Sequence, residues 1–226
     1  MTRSATRLLL LPGMDGTGEL FAPFAAEVSS WATVQIARYP LRSPCSMDAL
    51  VAALELDAPV TLVAESFSTA VGIRFATQRP ELVERLVLVG SFVTPPLGAT
   101  LLRAFGRVPF LIAPPRWAVR TFLTGTGSSD ALIDTVRQAL SRVAPEVLAD
   151  RLAQLSRLDE RERLRALQMP IMTVSARQDR LVSASVTAEL RAARPDARHV
   201  DLDAPHLILQ ARPGPAAALV RTFVGA

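Results

Sequence analysis

The sequence contains no lysine, one cysteine, two histidines and one tyrosine among 226 residues. With a single thiol, Cys45, neither a disulfide framework nor a cysteine-based zinc site can be built. Aromatic residues make up only 5% of the chain, which leaves little for base stacking and argues against a nucleic-acid partner. No apolar run approaches the roughly 20 residues of a membrane span. The leading stretch has two arginines and a leucine run, but Pro12-Gly13 cuts it short of a secretory signal. A cytoplasmic protein without a membrane span is expected. The missing lysines also explain why a formal charge of only +4 accompanies a pI of about 10.7. Apart from Tyr39, nothing titrates near pH 10, so a modest arginine excess persists to very high pH. The pI is therefore no argument for nucleic acid.

What is there is apolar. Half of the residues are hydrophobic and a fifth are charged, which excludes disorder. Short apolar runs fall at residues 6–11, 33–37, 60–64, 85–90, 170–175 and 197–202. Helix-length segments lie between them, at 19–30, 47–56, 67–78, 184–193 and 207–224. This alternation predicts an α/β class, with a buried, mostly parallel sheet of about six strands flanked by helices. From 94 to 168 no strand is expected, only helices around a proline-rich middle. That segment reads as a helical cap inserted into a core made of residues 1–93 and 169–226.

The cap is basic: residues 98–168 hold 11 arginines against 7 acids, and residues 85–129 hold no acid at all. Arg103, Arg107, Arg116 and Arg120 alternate there with Leu102, Phe105, Phe110, Trp117 and Phe122. Two readings stand. The arginines form a solvated face, or they dock an acidic acyl carrier protein or an anionic lipid surface. Likewise Phe105, Phe110, Trp117 and Phe122 either pack the cap or line an acyl pocket.

Four segments could carry chemistry. In Val60-Thr-Leu-Val-Ala-Glu-Ser-Phe-Ser68 a buried strand runs into a helix, with Ser66 at the turn. Small residues two positions away, Ala64 and Ser68, let such a turn expose its side chain, as in a nucleophile elbow. The elbow's usual glycines are absent, so a helix N-cap serine is an equal reading. The loop Leu11-Pro-Gly-Met-Asp-Gly-Thr-Gly18 has three glycines but no P-loop lysine, and its glycines are in the wrong order for a dinucleotide fingerprint. An oxyanion-binding loop remains, in which Asp15 is a turn former. Asp179 follows the fifth strand and His206 the sixth, 27 residues later. His199 sits in or beside the preceding strand, and Asp203 is too close to His206 in sequence to be its acid. Glu65 is either a first-turn acid favoured by the helix dipole or an influence on the charge of the site. Cys45, in a proline-rich loop, is a bystander thiol. Ser66, Asp179 and His206 all fall at carboxyl ends of expected strands, where open α/β sheets build their sites.

In this order and at these positions the segments LLLLPGMDGTG, VAESFS, SARQDRLVS and DAPHLILQARP resemble the α/β-hydrolase superfamily, in particular small, capped bacterial esterases and thioesterases. The resemblance spans nearly the whole chain. It implies Ser66 as nucleophile, His206 as base and Asp179 as its orienting acid. The backbone N–H groups of Met14 and Phe67 would form the oxyanion hole, with Gly13 and Asp15 beside the substrate. It implies no metal and no organic cofactor, and a small acyl ester or thioester as substrate. It also implies a chain that starts at the family's third strand, without the family's N-terminal hairpin. Two other functions stay open. The glycine loop is similar to plant-type esterase–acyltransferases, which pass the acyl group to an alcohol, and the altered elbow fits a non-catalytic binding protein.

Overall fold

Six apolar runs become six short strands, the inner ones buried on both faces as parallel strands between helices are, the two at the edges only partly buried. The computed structural model describes residues 6–96, 99 and 104–226. The strands are β1 (Thr6–Leu11), β2 (Ala32–Ile36), β3 (Val60–Glu65), β4 (Val83–Val89), β5 (Ile171–Ala176) and β6 (Arg198–Leu202). They form one sheet in the order β2-β1-β3-β4-β5-β6, and every neighbouring pair is parallel. Side chains alternate across a strand, so the leucine run of β1 serves two cores. Leu9 and Leu11 join Leu62, Ala64, Leu86 and Leu88 on one face. Leu8 and Leu10 join Val63, Val87, Val89 and Met172 on the other. At the β2 edge Thr33 and Gln35 turn outward to solvent.

Helices cover both faces. They are α1 (Ala22–Val28), α2 (Met47–Ala52), α3 (Ser68–Gln78), α8 (Ala184–Ala193), α9 (Ile208–Ala211) and α10 (Pro213–Val224). The last two replace the single helix expected over 207–224. Arg212 precedes Pro213, and the proline ring disfavours helical geometry in the residue before it. Arg212 accordingly sits at φ −137°, ψ 54° and separates the two.

Between β4 and β5 no strand occurs among the described residues. This stretch contains α4 (Arg116–Val119), α5 (Asp130–Ser141), α6 (Pro145–Leu155) and α7 (Arg161–Ala166). Ser129 caps α5 by accepting from Leu132 N, a side-chain N-cap. Ile133, Val136 and Ala139 of α5 pack on Leu20, from the loop after β1, and on Leu207, from the loop after β6. Val143, Ala144, Val147 and Leu148 pack on Met14 and Leu41. The helical stretch therefore lies against loops that leave the carboxyl ends of strands. Buried Glu160 ties it to the core: Arg74 of α3 donates to Oε1 at 2.7 Å and Arg163 to Oε2 at 3.0 Å. Among the described residues no helix is long and apolar enough to cross a membrane.

Candidate active site

The site begins where β3 ends. Ser66 has φ 50° and is the one non-glycine residue with positive φ among the described residues. A left-handed conformation costs an L-residue about 1–2 kcal/mol, so the surroundings must hold it. The Ser66 N–H donates to Val89 O at 2.9 Å, and its carbonyl accepts from Thr69 N at 2.9 Å and from Thr69 Oγ1 at 2.7 Å. The absent glycines of the elbow are explained by packing. A Cβ added to Gly72 would stand 3.0 Å from the Ala64 Cβ, so the small pair lets α3 approach β3. Ser68 Oγ donates to Pro12 O and lies 2.6 Å from Tyr39 Oη, binding the turn to the glycine loop.

His206 and Asp179 come to this turn. Ser66 Oγ and His206 Nε2 are 2.9 Å apart, and His206 Nδ1 and Asp179 Oδ2 are 2.7 Å apart. The other carboxylate oxygen, Asp179 Oδ1, accepts from Leu181 N at 2.8 Å and Val182 N at 2.9 Å. Both side chains are buried. Gly90, at φ +55°, makes room for the imidazole: a Cβ there would meet His206 O at 3.1 Å and Cε1 at 3.5 Å. This arrangement can move a proton from a serine hydroxyl to an imidazole held in one orientation. No backbone carbonyl among the described residues accepts from Met14 N or Phe67 N, so both N–H groups are free to face a developing anion.

Ser66, His206, Gly13, Met14, Asp15 and Phe110 line one cavity of about 210 Å³. Asp15 also turns the loop, its Oδ2 accepting from Thr17 N at 2.9 Å. Phe67 is fully buried behind the turn, edge-on to Tyr39 at 6.3 Å. Phe122 lines an adjoining cavity instead. Phe105 and Trp117 are 58% and 67% exposed and line neither cavity. Val119 is the buried residue of α4. Trp117, two positions away along a helix, faces nearly the opposite side. Arg103 and Leu102 lie outside the described residues. Arg116 and Arg120 are paired with Asp130, at 2.8 Å and 2.7 Å, so part of the basic face is neutralised by acids just beyond the acid-free stretch.

The weaker candidates settle into structural positions. His199 bridges Thr173 Oγ1, at 2.7 Å, and Arg194 O, at 3.0 Å. Asp203 accepts from Gln178 Nε2 at 2.7 Å. Burial pushes the Cys45 thiol up, away from thiolate. Glu65 is not in a solvated first turn. It ends β3 and is 1% exposed, with Oε2 accepting from Gln210 Nε2 at 3.1 Å. Burial pushes its pKa up to about 8; the Gln210 bond works against the rise and nearby Asp15 adds to it. No three His, Cys, Asp or Glu side chains cluster as metal ligands would among the described residues.

One residue escaped the sequence reading. Arg151 of α6 is 1% exposed and pairs with no carboxylate among the described residues. Its Nη1 donates to Met14 O at 2.7 Å and its Nη2 to Pro40 O at 2.8 Å. The guanidinium lies 5.8 Å from the ring centroids of both Tyr39 and Phe67. A Cβ on Gly16 would stand 2.7 Å from Nη1, so the glycine is the space the cation occupies. Burial pulls its pKa down. A signal existed: Leu148, Arg151, Leu152 and Leu155 follow helical i, i+3, i+4, i+7 spacing, with an arginine inside an apolar stripe.

A parallel sheet covered on both faces, a strained serine turn and facing histidine and carboxylate groups define the class as an α/β protein with the architecture of the α/β hydrolases. The chain belongs to the alpha/beta hydrolase family, whose model matches residues 6–219. A Klebsiella pneumoniae (strain 342) protein named "Putative carbamate hydrolase RutD" is 29% identical over 205 residues, which cover 83% of this chain and 70% of that protein. In fold the chain is similar to an enol-lactonase from Burkholderia xenovorans LB400, with TM-score 0.83, 18% identity, and coverage of 99% of this chain and 92% of that one. It is also similar to a thermophilic esterase from Thermogutta terrifontis, with TM-score 0.81, 17% identity, and coverage of 98% and 90%. Hydrolase relatives support a hydrolytic enzyme.

Proposed function

We propose that the protein is a serine hydrolase cleaving a carboxylic ester or thioester through an acyl-serine intermediate. One observation carries the reading: the unbroken chain from Ser66 Oγ to His206 at 2.9 Å and from His206 to Asp179 at 2.7 Å, with Ser66 and His206 lining a cavity. His206 Nε2 takes the Ser66 proton as Oγ bonds to the acyl carbon. The Met14 and Phe67 N–H groups hold the oxyanion, a donor pair of which each member is worth about 100- to 1000-fold in rate. The tetrahedral adduct collapses, the acyl–oxygen or acyl–sulfur bond breaks, and His206 returns its proton to the leaving alcohol or thiol. Water then attacks the acyl-enzyme, giving its proton to His206, and Ser66 is regenerated. Asp179 holds the imidazole tautomer and stabilises the imidazolium. Residues 94–168 serve as the cap over this chemistry, since α5 and α6 supply part of the cavity wall.

The test is hydrolysis of p-nitrophenyl esters by wild type and Ser66→Ala, with fluorophosphonate labelling in parallel. Turnover and labelling, both lost in Ser66→Ala, are expected. Turnover that survives the substitution removes Ser66 as nucleophile. Adding excess alcohol distinguishes hydrolysis from transfer, because an acyltransferase diverts product into a new ester.

A further inference from the structure

The walls around Ser66 have a chemistry of their own. Among the described residues, Asp15 and His206 are the ionisable side chains that line the inner cavity, and no arginine lines it. Arg151, the buried cation nearby, spends its donors on Met14 O and Pro40 O. The inner cavity has an apolar neighbour. Met14, Phe110, Leu123, Leu140 and Leu181 line it and also line a second cavity of about 460 Å³. Among the described residues, none that lines that outer cavity is charged. Two of its wall residues, Leu111 and Ile112, are 58% and 77% exposed, so it opens to solvent through an apolar rim. Apolar lining thus continues from the cavity at the serine hydroxyl to the exposed rim, and the five shared side chains stand between the two cavities, where a throat would lie.

We propose that this path holds the acyl half of the substrate, and that the substrate class is an uncharged straight-chain acyl ester or thioester whose tail passes the throat into the outer cavity. The inference rests on the serine-hydrolase reading of the same site. A carboxylate at the tail would leave water for a wall with no cation among the described residues to receive it, and nearer the serine it would meet Asp15. Burying a bare carboxylate without a partner is prohibitive. A methylene tail is the opposite case, gaining roughly fourfold in binding for each methylene removed from water.

The experiment compares kcat/KM for p-nitrophenyl acetate, butyrate, octanoate and dodecanoate, and for the mono-p-nitrophenyl ester of suberic acid, which matches octanoate in length but ends in a carboxylate. Fluorophosphonate titration of Ser66 runs alongside, so that every rate is per active site. Octanoyl coenzyme A and monooctanoylglycerol, in separate arms, distinguish a thioester source from an oxygen ester; turnover of either supports the class. The expected result is a rise of at least about a hundredfold from acetate to octanoate, with the suberate ester at least about a hundredfold below octanoate. Leu140→Trp narrows the throat and should lower the dodecanoate-to-butyrate ratio at least tenfold. Leu140→Ala, the smaller change, should raise or keep that ratio if the tryptophan variant does not fold. A flat chain-length profile, or a suberate ester cleaved as well as octanoate, with Ser66 still titrating, overturns the substrate class and leaves the serine hydrolase standing. No titration and no turnover of any ester overturns both.

Discussion

Replacing Glu65 by glutamine should make this protein more stable at alkaline pH, although the change removes a carboxyl group next to the Ser66 turn. The carboxyl is buried at the end of β3, and its pKa is pushed up to about 8 from the ordinary value of 4.5, chiefly by burial. The native state therefore keeps this proton up to about pH 8, whereas the unfolded chain releases it near pH 4.5. The contribution is full below pH 4.5, is lost progressively as pH rises to 8, and is flat above. The loss over the whole window is of order 5 kcal/mol, and about 3 kcal/mol of it falls between pH 5.5 and 8.5. The hydrogen-bond inventory agrees with a neutral acid: Glu65 Oε1 and Gln210 Oε1 are both buried without a partner, and a proton on Glu65 supplies the donor this pair lacks. A glutamine brings that donor at every pH. Urea unfolding of wild type and Glu65→Gln at pH 5.5 and pH 8.5 provides the check. The stability difference should move by about 3 kcal/mol in favour of the variant as pH rises. Parallel pH dependence of the two proteins would refute the buried, protonated Glu65.

Three further outcomes follow from the same geometry. Asp179→Asn keeps an acceptor for Leu181 N and Val182 N but presents the wrong partner to His206 Nδ1, so kcat should fall by about 1000- to 10,000-fold with little change in KM; steady-state kinetics decide it. Gly90→Ala puts a methyl group 3.1 Å from His206 O at φ +55°, and should cost about 1–2 kcal/mol in thermal unfolding while also lowering kcat, as an imidazole displaced from Ser66 requires. Arg151→Met removes the donors to the half-buried Met14 and exposed Pro40 carbonyls, so chemical denaturation should register a loss of about 1–3 kcal/mol. Arg151→Lys can reach only part of that geometry, and should recover less than half of any lost kcat.

How much of this was legible in the sequence depends on where each constraint originates. That Ser66, Asp179 and His206 meet was readable because a triad would demand these side chains, and α/β topology would place them after strands. The first-turn reading of Glu65 failed by one boundary: the strand was expected to end at residue 64, but β3 runs through Glu65 and α3 starts at Ser68, which leaves Glu65 inside the sheet and out of water. Phe105 and Trp117 were misplaced because composition cannot orient a side chain. The glycine loop is the instructive case. Three glycines suggest a backbone that turns toward an anion, yet glycine also makes a segment costly to order. What holds the loop still comes from three distant places: Ser68 donating to Pro12 O, Tyr39 N donating to Gly16 O at 2.8 Å, and Arg151 donating to Met14 O at 2.7 Å. Every acceptor is a backbone carbonyl, and a carbonyl leaves no trace in residue identity. The donors could be seen only as oddities, such as an arginine in a leucine stripe. Because Arg151 belongs to the helical stretch between β4 and β5, and Met14 lines the cavity with Ser66, the covering helices and the loop beneath them are positioned as one unit.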